Sequence, residues 1–406
     1  MTDPGPTRLF NRDFTAYWLG IAVSAVGDAL TFVAMPFLVL HLGGSGAALA
    51  TVMLLASIPR FGGPILGALA DRLPLRVPLL VGAAARTLLA AGVAALALHG
   101  SLPLWALYVA APLNGLVTIF TFAAGNVVVP RLVPATRLAQ ANALMQSATM
   151  GAPMVGLGAG GALVAALGPA ATLALAAPCL LTLAVAALVV RFPAGPGGER
   201  PSFLADLASG LRFMVGRPQL LVILAATLVL NASLNILNVL MPLAMERSPY
   251  GARGYGLFEG LISAGTLVGI LAVTALVRRV PTRHLVTASQ AVVAAGFAVL
   301  ATGTLPRLLG GGLVIGAGLG LGEVASITLL QLIVPDGLRG KVLGLVLPAN
   351  ALGLTVGAVV AGAVATQPSY APVLVGAAAT VVALAVLWAT VSRGLVGTAT
   401  QAAGAA

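Results

Sequence analysis

The sequence predicts an all-α integral membrane protein of twelve transmembrane helices in two six-helix halves. Three observations lead there. Of 406 residues, 59% are hydrophobic and only 8% are charged, against about one quarter charged in soluble domains. The apolar residues form unbroken runs of 21 residues or more, long enough to cross ~30 Å of hydrocarbon as helix. The basic residues fall in alternate connections between those runs.

The composition excludes a soluble globule, which lacks the charge to coat itself, and a disordered chain, which would be poor in apolar residues. The runs also lack the ~10-residue alternation of an outer-membrane barrel. The spans are expected at about 14–40, 47–70, 77–98, 103–129, 138–167, 170–190, 219–245, 255–277, 284–304, 308–334, 342–365 and 371–391. The weakest division is Leu167-Gly168-Pro169, between spans five and six. Residues 1–12 are polar and short, without the layout of a cleavable signal, and are expected to be a cytoplasmic tail.

Charge distribution sets the expected orientation. The tails and even-numbered connections hold 16 of the 21 Lys and Arg residues, the odd-numbered connections only Arg247, Arg253 and Arg307, and Arg60 and Arg86 lie inside spans. That asymmetry places both termini in the cytoplasm of a multi-pass protein of the inner (plasma) membrane. It also accounts for the +11 net charge without nucleic acid as a partner.

The longest connection, 192–218, opens with Pro193-Ala-Gly-Pro-Gly-Gly198, a chain breaker. Phe203, Leu207, Leu211 and Met214 then share one helical face behind Ser202, a possible cap, which predicts a short amphipathic helix at the cytoplasmic interface. The expected organisation is a half at 1–191, this linker, and a half at 219–406. The halves echo each other: Arg72-Leu-Pro74-Leu-Arg76 follows span two and Arg279-Val-Pro281-Thr-Arg283 follows span eight. Val133-Pro134 with Arg137 follows span four, and Val334-Pro335 with Arg339 follows span ten. Such duplication is a mark of secondary transporters.

Span two ends in Gly67-Ala-Leu-Ala-Asp71-Arg72-Leu-Pro74-Leu-Arg76-Val-Pro-Leu79. It resembles the loop motif of the major facilitator superfamily, Gly-x-Leu-Ala-Asp-Arg-x-Gly-Arg-Lys-x-x-Leu, departing from it at Pro74 and Leu75. The resemblance implies a cytoplasmic gate of Gly67, Asp71, Arg72 and Arg76: close helix approach at Gly67, Asp71 at a helix N-terminus, and the arginines on carboxylates at the mouth. The plain alternative is that both arginines only set topology. Phe10-Asn-Arg-Asp-Phe14, Trp18-Leu-Gly20, Ser24-x-x-Gly27-Asp28-x-Leu30 and Pro134-x-x-Arg137-Leu-Ala-Gln-Ala-Asn142 are similar to the drug-efflux branch that includes macrolide exporters. The branch's span-five signature is only loosely echoed, by Gly151-x-Pro153 and Gly160-Gly161.

Polar residues within spans are the candidate site. Ser24, Asp28 and Thr31 share a face of span one, Asn114, Thr118 and Thr121 of span four, and Asn231, Asn235 and Asn238 of span seven; span ten adds Glu323 and Ser326. The resemblance implies that helices one, four, seven and ten line a central cavity, so these residues are the expected walls. Asp28 and Glu323 are the expected proton-coupling carboxyls, since an intramembrane carboxyl is functional by default; for Asp28 the alternative is a packing carboxylate paired with Arg86 or Arg60. Those two arginines are the expected counter-charges. The four glycines from Gly316 to Gly322 follow no strand and are not a dinucleotide fingerprint. Glu259, near the outer end of span eight, reads equally well as an interfacial charge or a functional one. Small-residue spacings at Gly63/Gly67, Gly156/Gly160, Gly265/Gly269 and Gly353/Gly357 would permit close contacts between helices.

Lone Cys179 and dispersed His41, His99 and His284 form no metal set, and a single lysine, Lys341, without a phosphate loop argues against an ATP-driven pump. No cofactor is expected, and no enzyme. The expected function is a secondary active transporter, proton-coupled, exporting small amphipathic or drug-like molecules by alternating access. Its partners would be a small-molecule substrate, protons and the bilayer; the resemblance implies a monomer. The alternatives are uptake of a nutrient or metabolite, and outside transport a membrane-embedded enzyme or sensor.

Overall fold

A computed structural model describes residues 9–125, 127–192, 203–367 and 369–395. The helices are α1 (Arg12–His41), α2 (Gly46–Ser57), α3 (Gly63–Asp71), α4 (Arg76–Leu98), α5 (Leu104–Gly125), α6 (Val129–Leu132), α7 (Leu138–Gln146), α8 (Ala152–Leu167) and α9 (Pro169–Val189). There follow α10 (Phe203–Val215), α11 (Pro218–Glu246), α12 (Gly251–Leu276), α13 (Thr282–Leu300), α14 (Leu305–Ile333), α15 (Asp336–Leu343), α16 (Val346–Val364) and α17 (Ala371–Val391). Among the described residues eleven helical segments are long and apolar enough to cross a membrane. The broken α2–α3 segment is the twelfth span, so the twelve-helix architecture holds.

Local chemistry explains the boundaries. The Asn11 side chain accepts from the Phe14 N–H at 2.8 Å and starts α1; Ser45 does the same for Ala48 and α2. Gly168, with φ of +84°, is the whole connection between α8 and α9. That left-handed region is open to glycine alone at no steric cost, which is why the weakest predicted division is nevertheless a real one. Span two is not one helix. A 3₁₀ turn at Ile58–Gly62 separates α2 from α3, where Pro59 and Pro64 remove backbone donors and two glycines lie between them. Span five carries a π-helical turn at Ser147–Gly151, which absorbs the missing donor of Pro153.

The chain divides into two compact units. Among the described residues, the first comprises those within 1–200, 237–260 and 358–366; the second comprises those within 201–236, 261–357 and 367–406. In the first, Phe14, Tyr17, Leu79, Val128, Leu132 and Leu183 form a buried core. The α1 start is tied down by Asn11 Nδ2 donating to the Leu132 carbonyl at 2.7 Å and Trp18 Nε1 to that of Leu144 at 2.9 Å. In the second, Leu220, Leu285, Leu329, Val342 and Trp388 are buried together with Met214, and Trp388 Nε1 donates to the Arg283 carbonyl at 2.9 Å. Here α10 departs from expectation. Met214 is buried, whereas Leu211, expected on the same face, is 46% exposed. Gly210, next to Leu211, sits against the Lys341 backbone of α15, so α10 packs on protein. The side chains of Phe203 and Leu207 lie outside the described residues, as does Ser202.

Candidate functional site

The centre of the first unit is an ion pair in the middle of α1. Asp28 Oδ1 contacts Arg86 Nη2 of α4. The two ends differ: the Arg86 side chain is 8% exposed and that of Asp28 46%. Small residues make the arrangement possible. A Cβ on Gly27 would meet the Ala176 carbonyl oxygen of α9 at 2.9 Å, so α9 packs directly on α1 beside Asp28. Arg86 Nε has no hydrogen-bond partner, which makes Asp28 the acceptor that balances its charge. Arg86 is therefore a counter-charge to Asp28. Arg60 sits in the 3₁₀ turn of span two and is exposed.

The expected cavity walls fare unevenly. Thr31 and Thr118 are half-buried and each donates to its own helix, at the Gly27 and Asn114 carbonyls; Asn114 is half-buried too. Ser24 and Thr121 are buried. Thr121 packs on Gly82 of α4 and donates to the Val117 carbonyl at 2.9 Å, so it joins helices in place of lining a cavity. In the second unit Asn231 Nδ2 donates to the Asn350 side chain of α16 at 2.9 Å and to the Thr227 carbonyl. Asn235, buried, donates to the Leu354 carbonyl. Gly353 and Gly357 lie against the backbone of α11 at Leu228 and Ala232. Both asparagines thus hold α11 to α16, a correction to their expected role as open walls. Asn238 and Ser326 are half-buried, and Glu323 is exposed.

The gate motif is resolved in part. Arg76 donates from Nε to the Ala187 carbonyl at 3.1 Å, and from Nη2 to those of Leu188 at 3.0 Å and Val190 at 3.1 Å. It therefore caps the C-terminus of α9, where a cation is favoured, in place of the carboxylates expected for it. Arg72 is exposed. A Cβ on Gly67 would meet only Ala123, at an ordinary 3.9 Å, so glycine is not demanded there by α5. Asp71 ends α3; its side chain lies outside the described ones.

The structure decides one residue that the sequence left open. Glu259, open between an interfacial and a functional role, is buried, and its Oε1 has no hydrogen-bond partner. The signal available was its position two turns into a strongly apolar helix.

A family model described as Major Facilitator Superfamily matches residues 17–306. An uncharacterized MFS-type transporter of Sinorhizobium fredii, y4rN, is 32% identical over 264 residues, 64% of this chain and 65% of that protein; the chain therefore aligns with just under two thirds of that relative's length. Among solved structures, the nucleoside transporter NupG matches with a TM-score of 0.76 at 14% identity, covering 94% of this chain and 99% of that one. A bacterial homologue of the iron transporter ferroportin, in its inward-facing state, matches with a TM-score of 0.72 at 20% identity, covering 95% and 100%. At such identities these two likenesses speak for the fold.

Proposed function

The chain belongs to the major facilitator superfamily, a multi-pass secondary transporter and not an enzyme, and from that premise we propose that it carries a small polar metabolite into the cell in symport with protons. The observation that carries this reading is the Asp28–Arg86 pair. A half-exposed carboxylate at mid-span, balanced by a buried guanidinium, suits a polar solute and a group that exchanges protons better than a purely apolar drug cavity would. A carboxyl placed between water and a fixed cation can bind a proton and release Arg86, or lose it and re-form the pair. Glu323, exposed on α14, is its proposed counterpart in the second half. The fold likeness to a nucleoside transporter makes nucleosides the first solutes to try. Both termini are proposed to be cytoplasmic, the membrane the inner one, the repeat boundary at 192–218, and the working unit a monomer.

A second reading, export of amphipathic compounds, is favoured by the Phe10–Leu30 and Pro134–Asn142 segments. One assay separates the two. Purified protein in proteoliposomes is given labelled uridine or adenosine with an imposed proton gradient, acid outside. Accumulation abolished by a protonophore and by Asp28→Asn supports symport. Movement of lipophilic dyes down the opposite proton gradient, with nucleosides ignored, would replace uptake by export.

A further inference from the structure

The α8–α12 contact in the first unit holds a buried acid. Tyr255 and Glu259 lie one turn apart on α12, 0% and 7% exposed. The Tyr255 ring sits between two α1 side chains, Phe32 at 6.4 Å and Phe37 at 5.9 Å between centroids. On the same helix Gly256 touches the backbone of α8 at Gly161 and Leu157. Within this packing Tyr255 Oη and Glu259 Oε1 are both buried without a hydrogen bond. Buried polar atoms without partners are rare in native proteins and call for an explanation.

Among the described residues Glu259 is in no ion pair. Among helices packed on α12, α8 has no titratable side chain between Ala152 and Leu167. From mid-helix onward the titratable groups of α1 are Asp28, already engaged by Arg86, and His41, exposed. On α11 it is Glu246, and on α12 itself Arg253, both exposed. Further along α12, Gly265 and Gly269 meet α14, which carries no titratable residue between Arg307 and Glu323. Glu259 lies about 12 Å along α12 from its start, at 1.5 Å per residue, well inside the apolar layer. A bare carboxylate is expensive there. A proton on it removes that charge.

We propose that Glu259 is a second proton-binding site of this transporter, occluded in the α8–α12 contact and separate from Asp28. The carboxylate takes one proton from water when the contact is open and holds it as the neutral acid while the contact is closed; on opening, the O–H bond breaks and the proton returns to water. Proton binding and closure then favour each other, because a ligand shifts the equilibrium toward the state that binds it. This rests on the transport reading above, but its test does not.

Infrared difference spectra of the reconstituted full-length protein provide that test. The expected result is a protonated-carboxyl C=O band that shifts in D₂O, vanishes in Glu259→Gln and survives in Asp28→Asn. A band unaffected by Glu259→Gln, or no such band in the parent protein, overturns the proposal. In transport, Glu259→Gln should lower gradient-driven accumulation about tenfold while solute exchange without a gradient persists. If Glu259→Gln accumulates solute at the parent rate and Asp28→Asn does not, the second site is wrong and proton symport stands. If no variant or parent moves solute with protons, the symport reading falls, and the infrared band alone decides Glu259.

Discussion

A transporter that works by alternating access must part and rejoin packed helices, and Gly161 of α8 against Gly256 of α12 is a contact where this can be measured. A Cβ added to Gly256 would lie 2.7 Å from the Gly161 Cα and 2.7 Å from the Leu157 carbonyl oxygen. Carbon atoms prefer ~3.5–4.0 Å, so Gly256→Ala forces the backbones apart by about 1 Å at that point. Neither opposing atom belongs to a side chain that can swing away. Overpacking of this kind costs ~1–3 kcal/mol, which as a bias on an open–closed equilibrium is about 5- to 150-fold. Ala252, buried one turn away with its carbonyl against Gly161, is the reporter. In a Cys179→Ala background, Ala252→Cys should react slowly with an impermeant thiol reagent, and faster by that factor when Gly256→Ala is added. Gly158→Ala is the control, because it makes the same change in helix propensity with nothing within 4 Å of the new methyl. Equal labelling with and without Gly256→Ala would refute the reasoning, as would an equal acceleration by Gly158→Ala.

Further outcomes follow from other contacts. Asp28→Asn leaves the buried Arg86 without its counter-charge and should cost ~1–3 kcal/mol in thermal stability, below the ~3–5 kcal/mol of a fully buried pair because Asp28 is half-exposed; Asp28→Asn with Arg86→Gln should recover most of it. Arg76→Ala removes three charge-assisted hydrogen bonds at the end of α9 and should cost ~1–2 kcal/mol, with Arg76→Lys intermediate in the same melting assay. Asn235→Ala should weaken the α11–α16 contact by ~0.6–2 kcal/mol, read as a lower melting temperature. Ser248→Cys, between α11 and α12, should react with an impermeant reagent added outside intact cells, and Arg278→Cys should not; the reverse pattern would invert the topology.

The spans were legible because length and hydropathy alone decide what crosses a bilayer. The Gly168 division was visible because glycine next to proline leaves a helix few options. The break in span two was not read, although Pro59, Gly62, Gly63 and Pro64 were all there, because hydropathy is blind to backbone donors. Faces were read correctly as faces. What a period cannot say is whether a polar face meets water or another helix: Thr121 and Asn235 share their stripes with half-buried residues, yet each is buried in a helix contact. Partners across the bundle were out of reach for the same reason. The sequence offered Arg86 and Arg60 alike as partners for Asp28 and could not choose between them, where the structure pairs Asp28 with Arg86; nor does it tell that Glu259 is buried one turn from Tyr255.

The Asp28–Arg86 pair also bears on how the chain is made. Asp28 lies on span one, which leaves the ribosome before span three with Arg86, and Arg60 lies on span two between them. Each charge lowers the tendency of its own helix to enter lipid alone, by ~2.5–3.5 kcal/mol at mid-span. The acid is synthesised 58 residues before the base that neutralises it. Span one must therefore wait, with its carboxylate uncompensated, until span three arrives. Spans one to three are bound to insert as a group, and a chain truncated after span two lacks the partner that would let span one stay.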